Sequence, residues 1–304
     1  MNIFEFLGLP KDHRKHPFQL VKKYSEVSEK LKKPPYILQT KYDGLFAAVA
    51  CINEFATFGR SGKMLSNTND IERTISKCSN DFNGFLITEI YHPTAGLEEA
   101  NGILNPNRTK PLTDSQLDMK NGLKYIIHDY LSLDEFIAGV SAKPYLSRYT
   151  RALEIVNHKE MIDWSIVYKE EEIQDAFNKA VKAGEEGIIL KRNVDYQSGH
   201  KGWRSMKLVR NIDFDLLCTG YEMGDYGTKR YGMVTKLIFK WKDETIKADL
   251  GKGYTDENRV YLGENPSLMV GHLFHVYAMK MSTNGKLRQP KVGERRIDKD
   301  TPDA

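Results

Sequence analysis

The sequence predicts an α+β fold, a mixed first region followed by a small β-barrel. Two observations carry this expectation. Up to about residue 211, helix-period stretches interleave with short apolar runs. From Phe214 onward, short alternating runs dominate at 216–221, 236–241, 245–249 and 273–281, with glycine-rich turns at 224–232 and 251–253. The expected domains are therefore 1–211 and 212–304.

Element by element, residues 15–32 read as a helix, with Phe18, Val21, Tyr24 and Leu31 roughly on one side, ended by Pro34-Pro35. Strand-like runs follow at 36–41, 45–52 and 54–58. A helix at 70–81 carries Ile71, Ile75 and Cys78 at helical spacing, with Asn69 as its N-cap. Residues 85–91 form a strand, and 92–118 a polar loop with a short helix at 96–102. A strand at 125–131, a helix at 147–159 and a strand at 162–168 come next. The helix at 171–183 has Ile173, Phe177, Ala180 and Val181 on its apolar side and Gly184 as its C-cap. Strands at 187–191 and 203–207 close the first region, the latter with Trp203, Ser205 and Lys207 on one face.

Apolar residues are 40% and charged residues 28%, as in a soluble globular protein. No apolar run approaches the ~18 residues that a membrane span needs, and the N-terminus lacks the basic region of a signal peptide. The expectation is a cytoplasmic monomer (host cytoplasm if viral) with no membrane partner. Net charge is only +4, but basic residues cluster at 191–210 and 286–299. Such clusters either neutralise phosphates or form a solvated face. Cys51, Cys78 and Cys218 lack metal-ligand spacing, and Cys51 and Cys218 sit in apolar runs as small core residues.

The candidate chemistry begins at Lys41-Tyr42-Asp43-Gly44, a lysine at a strand end before a glycine turn. An amine nucleophile must be unprotonated, which desolvation or neighbouring cations favour. Arg60, between Gly59 and Gly62, either binds a phosphate in fork geometry or closes an ordinary hairpin. Glu89 lies in an apolar run and either accepts a ribose hydroxyl or faces solvent. Glu186, at a strand entrance with Lys191 at its exit, either holds magnesium or ends the preceding helix. Lys207 is placed to reach a phosphate. The stretch 288–299 is a solvated face or, if ordered, a clamp for a leaving pyrophosphate.

As an ordered set, these segments resemble the covalent nucleotidyltransferases, most closely the small virus-type or bacteriophage-type ATP-dependent DNA ligases. The resemblance runs from about residue 36 to 299. It is carried by KYDGLF (41–46), FGRSG (58–62), FLITEIY (85–91), YIIHDYL (125–131), EEGIILK (185–191), WRSMK (203–207) and RIDK (296–299), with GYTDENRVYL (253–262) and GKLRQP (285–290) in the second domain.

The resemblance implies an ATP-grasp-like adenylation domain of antiparallel sheets and helices, followed by an OB-fold. It implies that Lys41 attacks the α-phosphate of ATP, that AMP passes to the 5′-phosphate of nicked double-stranded DNA, and that the 3′-hydroxyl then seals the strand. Lys207, on the α-phosphate, and Arg296, Asp298 and Lys299, which promote the first step, complete the implied catalytic set. Gln39 falls where the adenine edge is read, His128 where adenine is stacked, and Arg60 near the ribose and nick phosphate. Glu89 matches the ribose-contacting acid, and Glu89 and Glu186 are the implied Mg2+ carboxylates. Phe46 stands where an arginine is usual, His128 where Phe or Tyr is usual, and Ser205 where a lysine is usual. Arg204, Lys201 or Lys191 is left to compensate at the phosphate, although strand alternation turns Arg204 away. The other readings are an RNA ligase, a capping guanylyltransferase, or a non-catalytic nucleic-acid-binding protein.

Overall fold

The computed structural model describes residues 1–303 apart from Asn53, Asn80, Asp81, 157–159, Lys252, Lys280, Thr283 and Asn284, and apart from the side chain of Cys78. The ends of the helices expected at 70–81 and 147–159 lie outside the described residues, as does Cys78's place on its helix face. The chain divides into two compact units, Met1–Val209 and Arg210–Ala304.

In chain order the first unit holds α1 (Ile3–Phe6), β1 (Leu20–Lys23), β2 (Tyr36–Lys41), β3 (Leu45–Cys51), β4 (Phe55–Gly59), α2 (Asn69–Cys78), β5 (Gly84–Tyr91), α3 (Leu97–Leu104) and α4 (Asp114–Asn121). It continues with β6 (Lys124–Ser132), α5 (Leu133–Ala138), β7 (Val140–Ser141), α6 (Tyr145–Val156), β8 (Ser165–Val167), α7 (Glu170–Lys182), β9 (Gly187–Lys191), β10 (Tyr196–Gln197) and β11 (Lys201–Val209).

Two sheets organise this unit: β4-β3-β5-β6, and β1-β11-β9-β2-β8. The run Leu45 to Cys51 is apolar throughout because β3 is covered on both faces. Ala47 and Val49 join one core with Leu86 and Ile90, whereas Phe46, Ala48 and Ala50 join another with Phe85 and Ile87. In the other sheet, Ile188, Leu190 and Met206 turn to a third core with Val27, Tyr36 and Ile173. The opposite face of that sheet is left to carry polar groups. The apolar side of α7 supplies Ile173, Ala176, Phe177 and Ala180 to this core. Acids at 170–172 and lysines at 179 and 182 suit the helix dipole.

The expected helix at 15–32 is instead β1 followed by two short 3-10 turns, Tyr24–Glu26 and Glu29–Leu31. Its apolar residues do not serve one face. Phe18 enters the β3 core, Tyr24 and Val27 enter the β9 core, and Leu31 is exposed. β1 pairs in parallel with β11, and that pairing overrides the local spacing. Thr68, not Asn69, is the N-cap residue of α2. The polar stretch 92–118 contains α3 and the start of α4, which the T-x-x-Q box of Thr113 and Gln116 caps. The strand expected at 162–168 shrinks to β8. Ala183, not Gly184, is the C-cap residue of α7, and Gly184 follows with φ 89°.

The second unit comprises β12 (Ile212–Met223), β13 (Val234–Trp241), β14 (Glu244–Leu250), α8 (Asp256–Glu264), β15 (Leu273–Ala278) and β16 (Lys291–Arg295). The strands close into a barrel in the order β12-β13-β14-β16-β15, with α8 inserted between the third and fourth strands. Leu216, Cys218, Leu237, Phe239, Phe274 and Val276 fill it. Arg259 of α8 is buried and donates to the carbonyls of Val234, Leu250 and Tyr254. Cys51 is half-buried against the β3 core. No described helix is long and apolar enough to cross a membrane.

Candidate active site

Strand register builds the floor of the site. Gln39 pairs with Ile189, which pairs with Lys207; Lys41 pairs with Gly187; Lys191 pairs with Ser205. Directly opposed residues share a face, so Gln39, Lys41, Ile189, Lys191, Ser205 and Lys207 lie on the side away from the Ile188 core. Gly187 permits this close pairing, since a Cβ there would stand 2.0 Å from the Leu208 carbonyl oxygen. β3, β5 and β6 supply the wall. Phe46 opposes Glu89, and His128 is the extra residue where the β5–β6 register shifts. Gly44 lets the turn after Lys41 approach β5, because a Cβ would lie 2.6 Å from Glu89 Cγ.

Lys41 Nζ donates to Glu186 Oε2 at 2.7 Å and lies 3.3 Å from the Tyr42 carbonyl oxygen. Glu186 is buried, and its Oε1 has no hydrogen-bond partner. The Oγ of buried Ser205 is likewise unpartnered. A buried polar atom without a partner is costly unless something fills its valence. Glu186 contacts Lys41 and Ser205 opposes Lys191, so both orphan atoms belong to residues adjoining the polar face.

Charge is concentrated here. Burial first, then the fields of Lys41 and Arg60 in the opposite sense and of Glu186 in the same sense, set the Glu89 carboxyl, which is pushed up to about 7. Lys207 is lowered by burial and then by Lys41, with Glu186 opposing. Arg60 reaches solvent, and the protein around it lowers its pKa by burial, with Glu89 opposing. Its guanidinium lies 4.6 Å from the centroid of the Phe46 ring.

A second cluster adjoins the first. Gln39 Nε2 donates to Tyr145 Oη at 2.7 Å, and Tyr145 Oη donates to the His128 carbonyl oxygen at 2.7 Å. Lys191 Nζ sits 4.2 Å over the Tyr145 ring and 3.5 Å from His128 Nδ1. Burial brings Lys191 down to about 8, with Asp129 opposing and Arg148 adding. Burial and then Lys191 hold His128 well below its ordinary value, so its imidazole is neutral at pH 7. Behind it, Arg148 makes a two-pronged ion pair with Asp129, Nε to Oδ1 at 2.9 Å and Nη2 to Oδ2 at 3.0 Å, both residues buried.

The structure thus brings Gln39, Lys41, Arg60, Glu89, His128, Glu186, Lys191 and Lys207 together in the first unit. Arg204 is not among them: it pairs with Asp195 at 2.8 Å. Trp203 packs against the Met206 core, where the β1–β11 register jumps from Gly202 to Met206. Sequence reading missed Tyr145, Asp129 and Arg148. A tyrosine and an arginine on the apolar face of α6, and an acid inside the run Tyr125 to Leu131, were the available signals.

Arg296, Asp298 and Lys299 belong to the second unit. Arg296 Nη1 holds Asp215 at 2.9 and 2.8 Å, and its Nε and Nη2 hold Asp298 at 2.8 Å each. Lys299 Nζ bonds Asp215 at 3.0 Å and Asp303 at 2.5 Å.

A family model for the ATP-dependent DNA ligase domain matches residues 18–208. The DNA ligase of Nitrosopumilus maritimus is 30% identical over 124 residues, covering 36% of this chain and 21% of that protein. The DNA ligase of Thermococcus fumicolans is 27% identical over 124 residues, covering 38% of this chain and 22% of that protein. The matched stretch thus spans about a fifth of these curated relatives. A solved structure of a Lig E DNA ligase superposes with a TM-score of 0.66 at 14% identity, covering 92% of this chain and 98% of that one. The ATP-dependent DNA ligase of bacteriophage T7, in complex with ATP, superposes with a TM-score of 0.53 at 16% identity, covering 94% of this chain and 100% of that one.

Proposed function

This chain belongs to the ATP-dependent DNA ligase domain family, and on that premise we propose that it seals nicks in duplex DNA through a lysyl-AMP formed on Lys41. The contact between Lys41 Nζ and Glu186 Oε2 at 2.7 Å carries the reading. An ammonium must lose a proton before its lone pair can attack phosphorus, and Glu186 is a base within hydrogen-bond reach. In the first step a bond forms between Nζ and the α-phosphorus, the bond to pyrophosphate breaks, and the proton leaves toward the carboxylate. Lys207 and Arg60 are the cations available for charge growing on phosphoryl oxygens. AMP then passes to the 5′-phosphate of the nick, and the 3′-hydroxyl displaces it.

The adenosine fits the second cluster. Neutral His128 offers a flat face to the base. Gln39 has its Nε2 committed to Tyr145, which leaves its Oε1 to accept from an exocyclic amine. Glu89, with a pKa near the working pH, suits a hydrogen bond to a ribose hydroxyl. Mg2+ fits Glu186, whose Oε1 is unpartnered, and the Glu89 carboxyl, which lies in the field of Glu186. No group of three or more His, Cys, Asp or Glu able to hold a metal occurs among the described residues, so nucleotide phosphates and water would complete its shell. When bound it would neutralise phosphoryl charge.

The test is incubation with ATP labelled at the α-phosphate, with Mg2+, followed by a chase onto nicked duplex. The expected result is a protein-bound label that Lys41→Ala abolishes and that moves to DNA. Labelling by GTP alone would reject the ligase reading, and a normal adduct in Lys41→Ala would relocate the nucleophile.

A further inference from the structure

We propose that β8 pairs with the β8 of a second copy of this chain, antiparallel about a two-fold axis through Ile166, to give a weak dimer where the sequence led to a monomer. β8 ends the sheet β1-β11-β9-β2-β8, and among the described residues no strand pairs with its outer edge. Such an edge is a template for another strand unless charge or a covering segment blocks it. At the opposite end of the sheet, β1 carries Lys22 and Lys23, which discourage pairing. The stretch around β8 is apolar instead. Trp164 and Ile166 are each 39% exposed, and Tyr168 is 63% exposed. Alternation puts these three on one face, while Val167 points into the core of Tyr36 and Ile173.

The patch is held in shape by its neighbours. Trp164 stands edge-on to Tyr149 with ring centroids 6.2 Å apart, and Tyr149 Oη donates to the Ile162 carbonyl at 2.8 Å. Leu146, Tyr149, Leu153, Met161, Asp163 and Trp164 line an open groove of about 500 Å³ beside the strand. At the far end, the N–H groups of Tyr168 and Lys169 donate to Glu172 at 2.7 and 3.2 Å, which fixes where the strand stops. A surface ordered before association loses less entropy on pairing than a floppy one.

Charge identifies the occupant. In an antiparallel pairing centred on Ile166, this residue faces its own copy, Trp164 faces Tyr168, and Asp163 faces Lys169. The two-fold axis makes each unlike pair twice. Ring meets ring, and the second copy's tyrosine falls beside the groove at Trp164. Among the described residues neither Asp163 nor Lys169 is in an ion pair, although Lys169 lies in the field of Glu172. An acid and a base at the two ends of one exposed stretch complement the same stretch run in reverse. A strand of uniform charge would satisfy one of them and repel the other. Three strand residues and three exposed side chains fall short of the ~800 Å² per partner of a standard interface, so the dissociation constant is expected to be on the order of 100 μM.

Sedimentation velocity of the full chain over a concentration series spanning that value tests this. The wild type is expected to pass from monomer to dimer. Ile166→Lys, which sets two cations face to face on the axis, is expected to abolish the dimer. Asp163→Lys and Lys169→Asp each put like charges opposite and are each expected to weaken association about tenfold. An equimolar mixture of these two charge variants is expected to regain the dimer, because every opposed pair is again of opposite sign. Thermal midpoints of the charge variants should match the wild type, since both positions are exposed. A wild-type chain that stays monomeric through the series overturns the proposal. So does a dimer that survives Ile166→Lys, or a mixture that associates no better than its components. Nucleotide and DNA are absent from this experiment, so its failure leaves the ligase reading standing.

Discussion

At position 46 an aromatic ring occupies the place where the family resemblance calls for arginine. Phe46 is 8% exposed, its ring lies 5.0 Å from that of Phe18, and the Arg60 guanidinium covers its open side. An arginine here would bury a second cation against Arg60 with no described acid opposite except Glu89. Phe46→Arg is therefore expected to lose about 3 kcal/mol or more, against about 1–2 kcal/mol for Phe46→Leu, and not to speed adduct formation. Equal thermal losses in the two variants would show that the site accommodates the charge. The Glu89 carboxyl gives a prediction in pH. Its folded pKa of about 7 lies above the ordinary 4.5. A raised pKa contributes stability below pH 4.5 and loses it as pH rises through 7. Glu89→Gln, which does not titrate, should gain on the wild type by about 1–2 kcal/mol between pH 4.5 and 8, the full shift being reduced by solvent at the cleft. A difference in stability that stays flat with pH would remove burial as the cause. The motif strings named Lys41, Arg60, Glu89 and Glu186 while they lay up to 145 positions apart along the chain. That Phe46 underlies Arg60 was not legible, because a ring over a neighbouring cation depends on which strands pair.

At the scale of elements, legibility followed the clarity of the local signal. β3 and β9 are built on uninterrupted apolar runs, Leu45 to Cys51 and Ile188 to Leu190, and β2 opens on one, Tyr36 to Leu38; the bounds of all three agree with expectation to within a residue. β1 was misread as helix because a spacing of three fits several structures and only its partner, β11, decides. α4 and α8 were legible in principle through their Thr113 and Thr255 caps, but each has a weak apolar stripe. α6 shows how an element is positioned by a polar pair. Arg148 bound to Asp129 of β6 adds a polar tie to the apolar packing of Ala152, Ile155 and Val156, and Tyr145 of the same helix reaches both Gln39 and the His128 carbonyl. Arg148→Met alone leaves a buried carboxylate unpaired and should cost about 3–5 kcal/mol, with loss of AMP adduct. Adding Asp129→Leu should recover much of the stability, since a buried pair is often replaceable by apolar packing. Chemical denaturation of the two singles and the double variant measures this. Additive losses would mean that the pair does not anchor the helix.

At the scale of the whole molecule, the family resemblance gives residues of the second unit a part in the proposed first step. The sequence read 288–299 as either a solvated face or an ordered clamp, and the structure orders it through β16 and Asp215. Asp215 is buried, and Arg296, Lys299 and His275 converge on its carboxylate. Burial raises its pKa, but the bonds from Lys299 and the charge of Arg296 outweigh that and leave it below the usual carboxylate range. Arg296 and Lys299, the cations that the resemblance ties to the first step, are thus already satisfied by acids of their own domain. A nucleotide must compete with Asp215, Asp298 and Asp303 to engage them. If Lys299 acts on the leaving pyrophosphate, Lys299→Ala should slow adduct formation about tenfold or more while leaving the sealing of a pre-adenylated nick nearly unchanged, because pyrophosphate is absent from the later steps. Asp303→Asn should act in the opposite direction, since it weakens one of the two acids that hold the amine, and adduct formation should quicken about twofold to threefold. Single-turnover rates with labelled ATP, and separately with pre-adenylated nicked DNA, distinguish the steps. Equal slowing of both steps by Lys299→Ala would make this lysine a structural partner of Asp215 and nothing more, and a slower first step in Asp303→Asn would show that the acid positions the amine instead of withholding it.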